Sequence, residues 1–207
     1  IGSDKNWLDT VTIKGGQGFS AGFIGSGSVD DRVTEIYAKE VTFDNTEANK
    51  SYGTAFSNKD SNVLVNADTI TVKGEKTQST DKNGVVEVHS SQTDFNAKNI
   101  NIIVQKDNNY DAIYAKGSST TALNEGYTLN LKVSETLNID GNVLLDGIGT
   151  TNMSGKNIII EGTNTEGSAI NLWGKSKLNL GTENAKAGSV TISSAGKFGI
   201  LLGRDND

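Results

Sequence analysis

His89 is the one histidine in this 207-residue chain, and cysteine is absent. Nucleophilic catalysis of the Ser-His-Asp kind would have to pass through that imidazole, yet no Gly-x-Ser-x-Gly elbow accompanies it. Lack of cysteine removes disulfides, thiolate zinc sites and thiol nucleophiles. Lys59 and Lys116 share a repeat register with His89, one copy to either side. Trp173 falls in the same register two copies further on, and Tyr114 lies close in sequence to Lys116. Cations interleaved with aromatic rings suit an acidic or sialylated sugar. Lys59, His89, Lys116, Tyr114 and Trp173 therefore form a candidate ligand-binding row. The plainer alternative is a solvated face of long side chains.

Other chemistry finds less support. Hydrolysis of a glycoside needs converging carboxylates. The densest are Asp30/Asp31 and Asp107/Asp111, both in polar, loop-like stretches. The run Asp81-Lys82-Asn83-Gly84 lacks the twelve-residue ligand pattern of a calcium loop. The glycine run Gly15-Gly16-Gln17-Gly18 has no Lys-Ser/Thr pair and reads as a turn, not a phosphate cradle. The residues predict no catalytic group, no metal and no cofactor.

What must position the row is a repeat. Apolar pairs recur at Val11/Ile13, Val41/Phe43, Ile70/Val72, Ile100/Ile102, Leu137/Ile139, Ile158/Ile160 and Val190/Ile192. Each pair brackets one residue, which is the alternation of a half-buried strand. The copies lie roughly 20 to 40 residues apart, a period that indicates a solenoid. A second series places Phe23, Phe56, Val86, Ile113, Leu144, Ile170 and Ile200 between them. A third run appears at 36–38, 63–65, 95–97, 129–131 and 178–180. Three short strands per copy predict an all-β, right-handed, three-sided parallel β-helix of about seven coils. Residues 1–207 make one elongated domain; either 1–10 form an N-terminal cap in which Trp7 and Leu8 cover the open end, or Trp7 is an ordinary surface tryptophan.

Two outward columns follow from the register. Two residues before each pair stand Asp9, Lys39, Asp68, Lys98, Glu135, Lys156 and Gly188, alternating in sign for six copies. Stacked rungs would put opposite charges next to each other. Small residues precede the charge, so a corner is expected between it and the pair. Inside the pairs stand Thr12, Thr42, Thr71, Asn101, Asn138 and Thr191, a flat hydrogen-bonding strip. Such a strip either stabilises the stack or joins two copies face to face. Longer segments, above all 117–126, are expected to leave the stack as loops, where binding often resides. The stretch 185–187 is too short to assign to a helix.

Composition fits. Proline is absent where average usage would give about ten, as suits a backbone whose donors pair with the next coil. Net charge is −6, and the arginines, Arg32 and Arg204, stand near opposite ends. That profile argues against nucleic acid. No apolar run approaches the roughly 20 residues of a membrane span. The chain starts without a signal peptide and stops after a seventh apolar pair, so a longer parent protein is expected.

The phrases Ile36-Tyr37-Ala38-Lys39-Glu40-Val41-Thr42-Phe43, Ala67-Asp68-Thr69-Ile70-Thr71-Val72, Asp111-Ala112-Ile113-Tyr114-Ala115 and Gly167-Ser168-Ala169-Ile170 resemble those of the passenger domains of monomeric, type V bacterial autotransporters. The resemblance implies a right-handed parallel β-helix displayed on a Gram-negative cell through a C-terminal outer-membrane barrel. It implies adhesion, autoaggregation, biofilm formation or virulence, with host or bacterial surface glycans, matrix proteins or a second copy as partners. The Gly-Asp-Ser-Gly motif of the protease passengers is absent. A polysaccharide lyase or glycoside hydrolase on the same fold is the alternative, although the separated arginines do not meet at one site. A passive stalk is the other.

Overall fold

A computed structural model describes residues 1–15, 23–26, 33–46, 53–59, 61–75, 84–105, 111–117, 126–165, 167–181 and 187–203. Residues 16–18, Asp30, Asp31, Arg32, Asp107, Arg204, the runs 81–83 and 118–125 and residues 185–186 lie outside them.

The strands are β1 (Leu8–Lys14), β2 (Phe23–Ser26), β3 (Val33–Asn45), β4 (Phe56–Lys59), β5 (Asn62–Glu75), β6 (Gly84–His89), β7 (Gln92–Gln105), β8 (Asp111–Lys116), β9 (Tyr127–Asp140), β10 (Asn142–Asp146), β11 (Gly149–Ser154), β12 (Asn157–Gly162), β13 (Ser168–Leu172), β14 (Ser176–Leu180), β15 (Ser189–Ser194) and β16 (Phe198–Leu202). All pairings among the described residues are parallel and join the strands of successive coils into two sheets. The first runs β1-β3-β5-β7-β9 and continues as β11-β14 beside β12-β15; the second runs β2-β4-β6-β8-β10-β13-β16. The chain is thus an all-β parallel solenoid of about five turns, with no helix among the described residues.

The apolar pairs stack as the alternation predicts. Val11, Val41, Ile70, Ile100, Leu137, Ile158 and Val190 are successive partners, as are Ile13, Phe43, Val72, Ile102, Ile139, Ile160 and Ile192. Those between the ends are buried in one continuous core. Phe43, Phe56 and Phe95 meet inside it, with ring centroids 5.0 to 6.3 Å apart.

Two expectations are corrected. The third run is not a separate strand in four of the coils. It forms the first half of β3, β5, β7 and β9, which run 13 or 14 residues without interruption. Their inward alternation slips at 39–40, 68–69 and 98–99, where two successive residues face away from the core. A strand can therefore bend around the core while its ladder stays paired. Only further along do the halves separate, as β11 with β12 and β14 with β15. In the second series it is Val143, not Leu144, that pairs with Ile113 and Ile170; Leu144 pairs with Tyr114 and Asn171. The register shifts at Asn142/Val143, just after Gly141 turns the chain at φ 136°.

The charge column superposes, and the bonds within it join copies two by two. Lys39 Nζ lies 2.6 Å from Asp9 Oδ1, Lys98 Nζ 3.0 Å from Asp68 Oδ1 and Lys156 Nζ 3.5 Å from Glu135 Oε2. These pairs are solvated, and exposed pairs of this kind add little to stability. They discriminate against a slipped register more than they stabilise the right one. At the third pair β9 carries an extra residue: Ser134 and Glu135 together oppose Lys98 between the partners Ala97–Val133 and Asn99–Thr136. That bulge places Glu135 against Lys156. At the N-terminal end Tyr37 N–H donates to Ile1 O at 2.9 Å, but Trp7 and Leu8 remain 41% and 42% exposed. The end is only partly covered.

One column breaks the alternation. Asp44 and Lys73 are partners and pair at 3.0 Å, but further along Asp140 faces Glu161. Burial, and then the Glu161 charge, push the Asp140 carboxyl above its ordinary range. A raised folded-state pKa means the fold loses stability as pH rises through that carboxyl's titration and keeps the penalty at neutrality. Asp140→Asn should therefore stabilise the fold at about pH 7, by less than about 1 kcal/mol, and give no gain near pH 3. Urea unfolding at the two pH values checks this; an equal gain at both would assign the effect to packing instead.

Candidate functional site

Lys59, His89 and Lys116 close β4, β6 and β8, and they are direct partners on three successive rungs. Short strands that all end at the same register position produce this row. Each ends where a polar residue follows an inward, buried one: Asn58, Val88 and Ala115. Both lysines are exposed, and the imidazole is half-buried.

Tyr114 is only 5% exposed and meets the imidazole edge to face, with centroids 5.7 Å apart. It buttresses His89 from beneath and presents no ring to a ligand. Burial, with smaller contributions from Asp146, Glu87 and Asp111, pushes its phenol up to about 12. Trp173 follows Leu172, the partner of Leu145, which places it beside Asp146, two rungs beyond Lys116. It is half-buried, at the far end of the row.

Two residues of the site escape a reading of the sequence. Glu87 Oε2 lies 3.6 Å from His89 Nε2, while its Oε1 accepts from Thr54 Oγ1 at 3.0 Å and from Gly84 N–H at 3.3 Å. Its position two residues before His89, on the same strand face, is the signal that was available. Asp146 is the partner of Lys116. Aligning Leu144 instead of Val143 with Ile113 hides it, because it sets Gly147 opposite Lys116.

The strip is the second candidate. Thr12, Thr42, Thr71, Asn101, Asn138, Ile159 and Thr191 are partners in unbroken succession. Thr12 and Thr191 are exposed and the others half-exposed. Ile159 is the one apolar member. The strip lies on the same strands as the ion-paired column, three residues further along the chain.

A third feature is a ladder of amides on the other half of the first sheet. Asn130 Nδ2 donates to Asp94 Oδ1 at 2.7 Å, Asn152 to Asn130 at 2.7 Å and Asn179 to Asn152 at 2.6 Å. Every Asn donates in the same sense, so the last needs an acceptor that makes no demand of its own. The Asp94 carboxylate supplies it. Leu-Asn-Leu at 129–131 and 178–180 carries the signal; Thr151-Asn152-Met153 gives none.

No group of three or more His, Asp or Glu able to hold a metal occurs among the described residues. No helix of the described residues is long and apolar enough to cross a membrane. No protein-family model, curated protein or solved structure matches the chain.

Proposed function

We propose that the chain is a binding scaffold of the bacterial cell surface, an adhesin-like passenger segment of a Gram-negative autotransporter. We read its winding as right-handed and three-sided, with seven coils. The sevenfold recurrence of the apolar pair and the seven strands of the second sheet support that count. Adhesion or self-association through the lateral faces is the activity. The observation that carries this reading is the unbroken register of the Thr/Asn strip over seven strands. Threonine and asparagine side chains, interrupted once by Ile159 and spaced at about 4.8 Å on a stiff support, offer a partner many weak hydrogen bonds at little ordering cost. The neighbouring ion-paired column adds no net charge of its own beside the strip. Host or bacterial glycans, matrix proteins and a second copy are the partners that this surface suits.

Display of the chain on cells tests the proposal. Thr42→Lys with Thr71→Lys should abolish cell settling and leave the melting temperature of the purified chain within a few degrees. Settling equal to that of the parent would remove the strip from the argument. No binding on a glycan and matrix-protein array, together with no settling, would leave a passive stalk.

A further inference from the structure

We infer that Lys59, His89 and Lys116 form a proton-gated site for a linear anionic polysaccharide. The inference rests on the binding-scaffold reading above and adds the ligand class and its control. Successive rungs lie about 4.8 Å apart, so the two ammonium groups flank the imidazole along the solenoid axis, roughly 10 Å from one another. Four lysines elsewhere in the fold, Lys39, Lys73, Lys98 and Lys156, each hold a carboxylate. Among the described residues neither Lys59 nor Lys116 forms such a pair.

Among the described residues the groups beside the imidazole are few. β4 contributes Lys59, β6 contributes Glu87, and β8 contributes Tyr114 and Lys116; one rung further β10 sets Asp146 opposite Lys116, and Asp111 acts on Tyr114 at the other end of β8. With the imidazole neutral, the two lysines are offset by Glu87 beside His89 and Asp146 beside Lys116. A polyanion then meets a row with no excess positive charge, on a chain of net charge −6. Protonation puts a third cation into the row. It also turns the 3.6 Å approach of Glu87 into an ion pair, which takes up the carboxylate that would otherwise repel the ligand. Tyr114 holds the ring in place from one side and stays neutral throughout. Histidine is the side chain whose charge ordinarily changes between about pH 5 and 8, and the chain has one histidine and no cysteine.

Heparin is a suitable probe because its sulfates stay ionised across that range. Its affinity for the whole chain should be measured at about 50 mM salt and at about pH 5.5 and pH 7.5. One added charge at close range predicts about five- to tenfold tighter binding at the lower pH. His89→Gln should bind weakly and equally at both. Lys59→Ala with Lys116→Ala should abolish binding at both, with the circular dichroism spectrum unchanged. Equal affinity at the two pH values, or a pH dependence that survives His89→Gln, overturns the gate but not the anion site. Absent binding at either pH, or binding indifferent to the loss of both lysines, overturns the site itself and leaves the Thr/Asn strip untouched.

Discussion

Phe56→Ala should lower the stability of the solenoid by about 4 kcal/mol, the cost of removing a fully buried ring and leaving its space. Phe56 lies 5.2 Å from Phe43 at 71° and 5.0 Å from Phe95 at 75°, edge to face with both. Phe43 and Phe95 lie 6.3 Å apart and nearly parallel, although they belong to β3 and β7 with β5 between them. Val72 and Val65, the β5 partners of Phe43 and Phe95, are small enough to let the rings meet across a whole rung. Loss of Phe56 therefore empties a contact shared by three strands. Urea unfolding should show a lower midpoint at unchanged slope. A loss below about 1 kcal/mol would mean that the rungs close around the gap.

Gly149→Ala is the second large effect. Gly149 sits between Tyr127 and Ser176 in one inward column. A methyl group there would coincide with the ring atoms Cγ, Cδ1 and Cε1 of Tyr127, which is 1% exposed and has nowhere to go. Overpacking of this kind costs about 3 kcal/mol. In a Tyr127→Leu background the same substitution should cost less than about 1 kcal/mol, and the difference measures the coupling. Equal costs in the two backgrounds would place the strain in the backbone instead of against the ring.

The inward pairs were legible because period-two alternation has one physical cause, a strand with one buried face. The corner was legible for a related reason: a charge standing where alternation calls for an apolar residue forces the phase to slip. Val143-Leu144-Leu145 defeated the same logic, since three apolar residues in succession carry no phase. The turn at Gly141 then decided the register, and with it the position of Asp146. Tyr114 defeated it differently. Its strand position faces outward, but its burial is set by segments remote in sequence, which alternation does not encode. The row Lys59, His89 and Lys116 could be read because three strands end alike. Its charge balance could not, because Glu87 and Asp146 enter by side-chain reach and by corrected register.

The amide ladder from Asp94 to Asn179 has a further consequence for length. Asn130 and Asn152 receive on their oxygens and give through their nitrogens, and Asn179 gives to Asn152, so the chain of amides is a one-way queue with the carboxylate at its head. An added winding bearing Asn at that place, inserted between Asp94 and Asn179, would join the queue with both ends of its amide served. Ahead of Asp94 stands Leu64, which gives nothing and receives nothing. The molecule can therefore be extended by duplication between Asp94 and Asn179, whereas on the other side of Asp94 the end of the newcomer's amide that faces Leu64 would go unanswered.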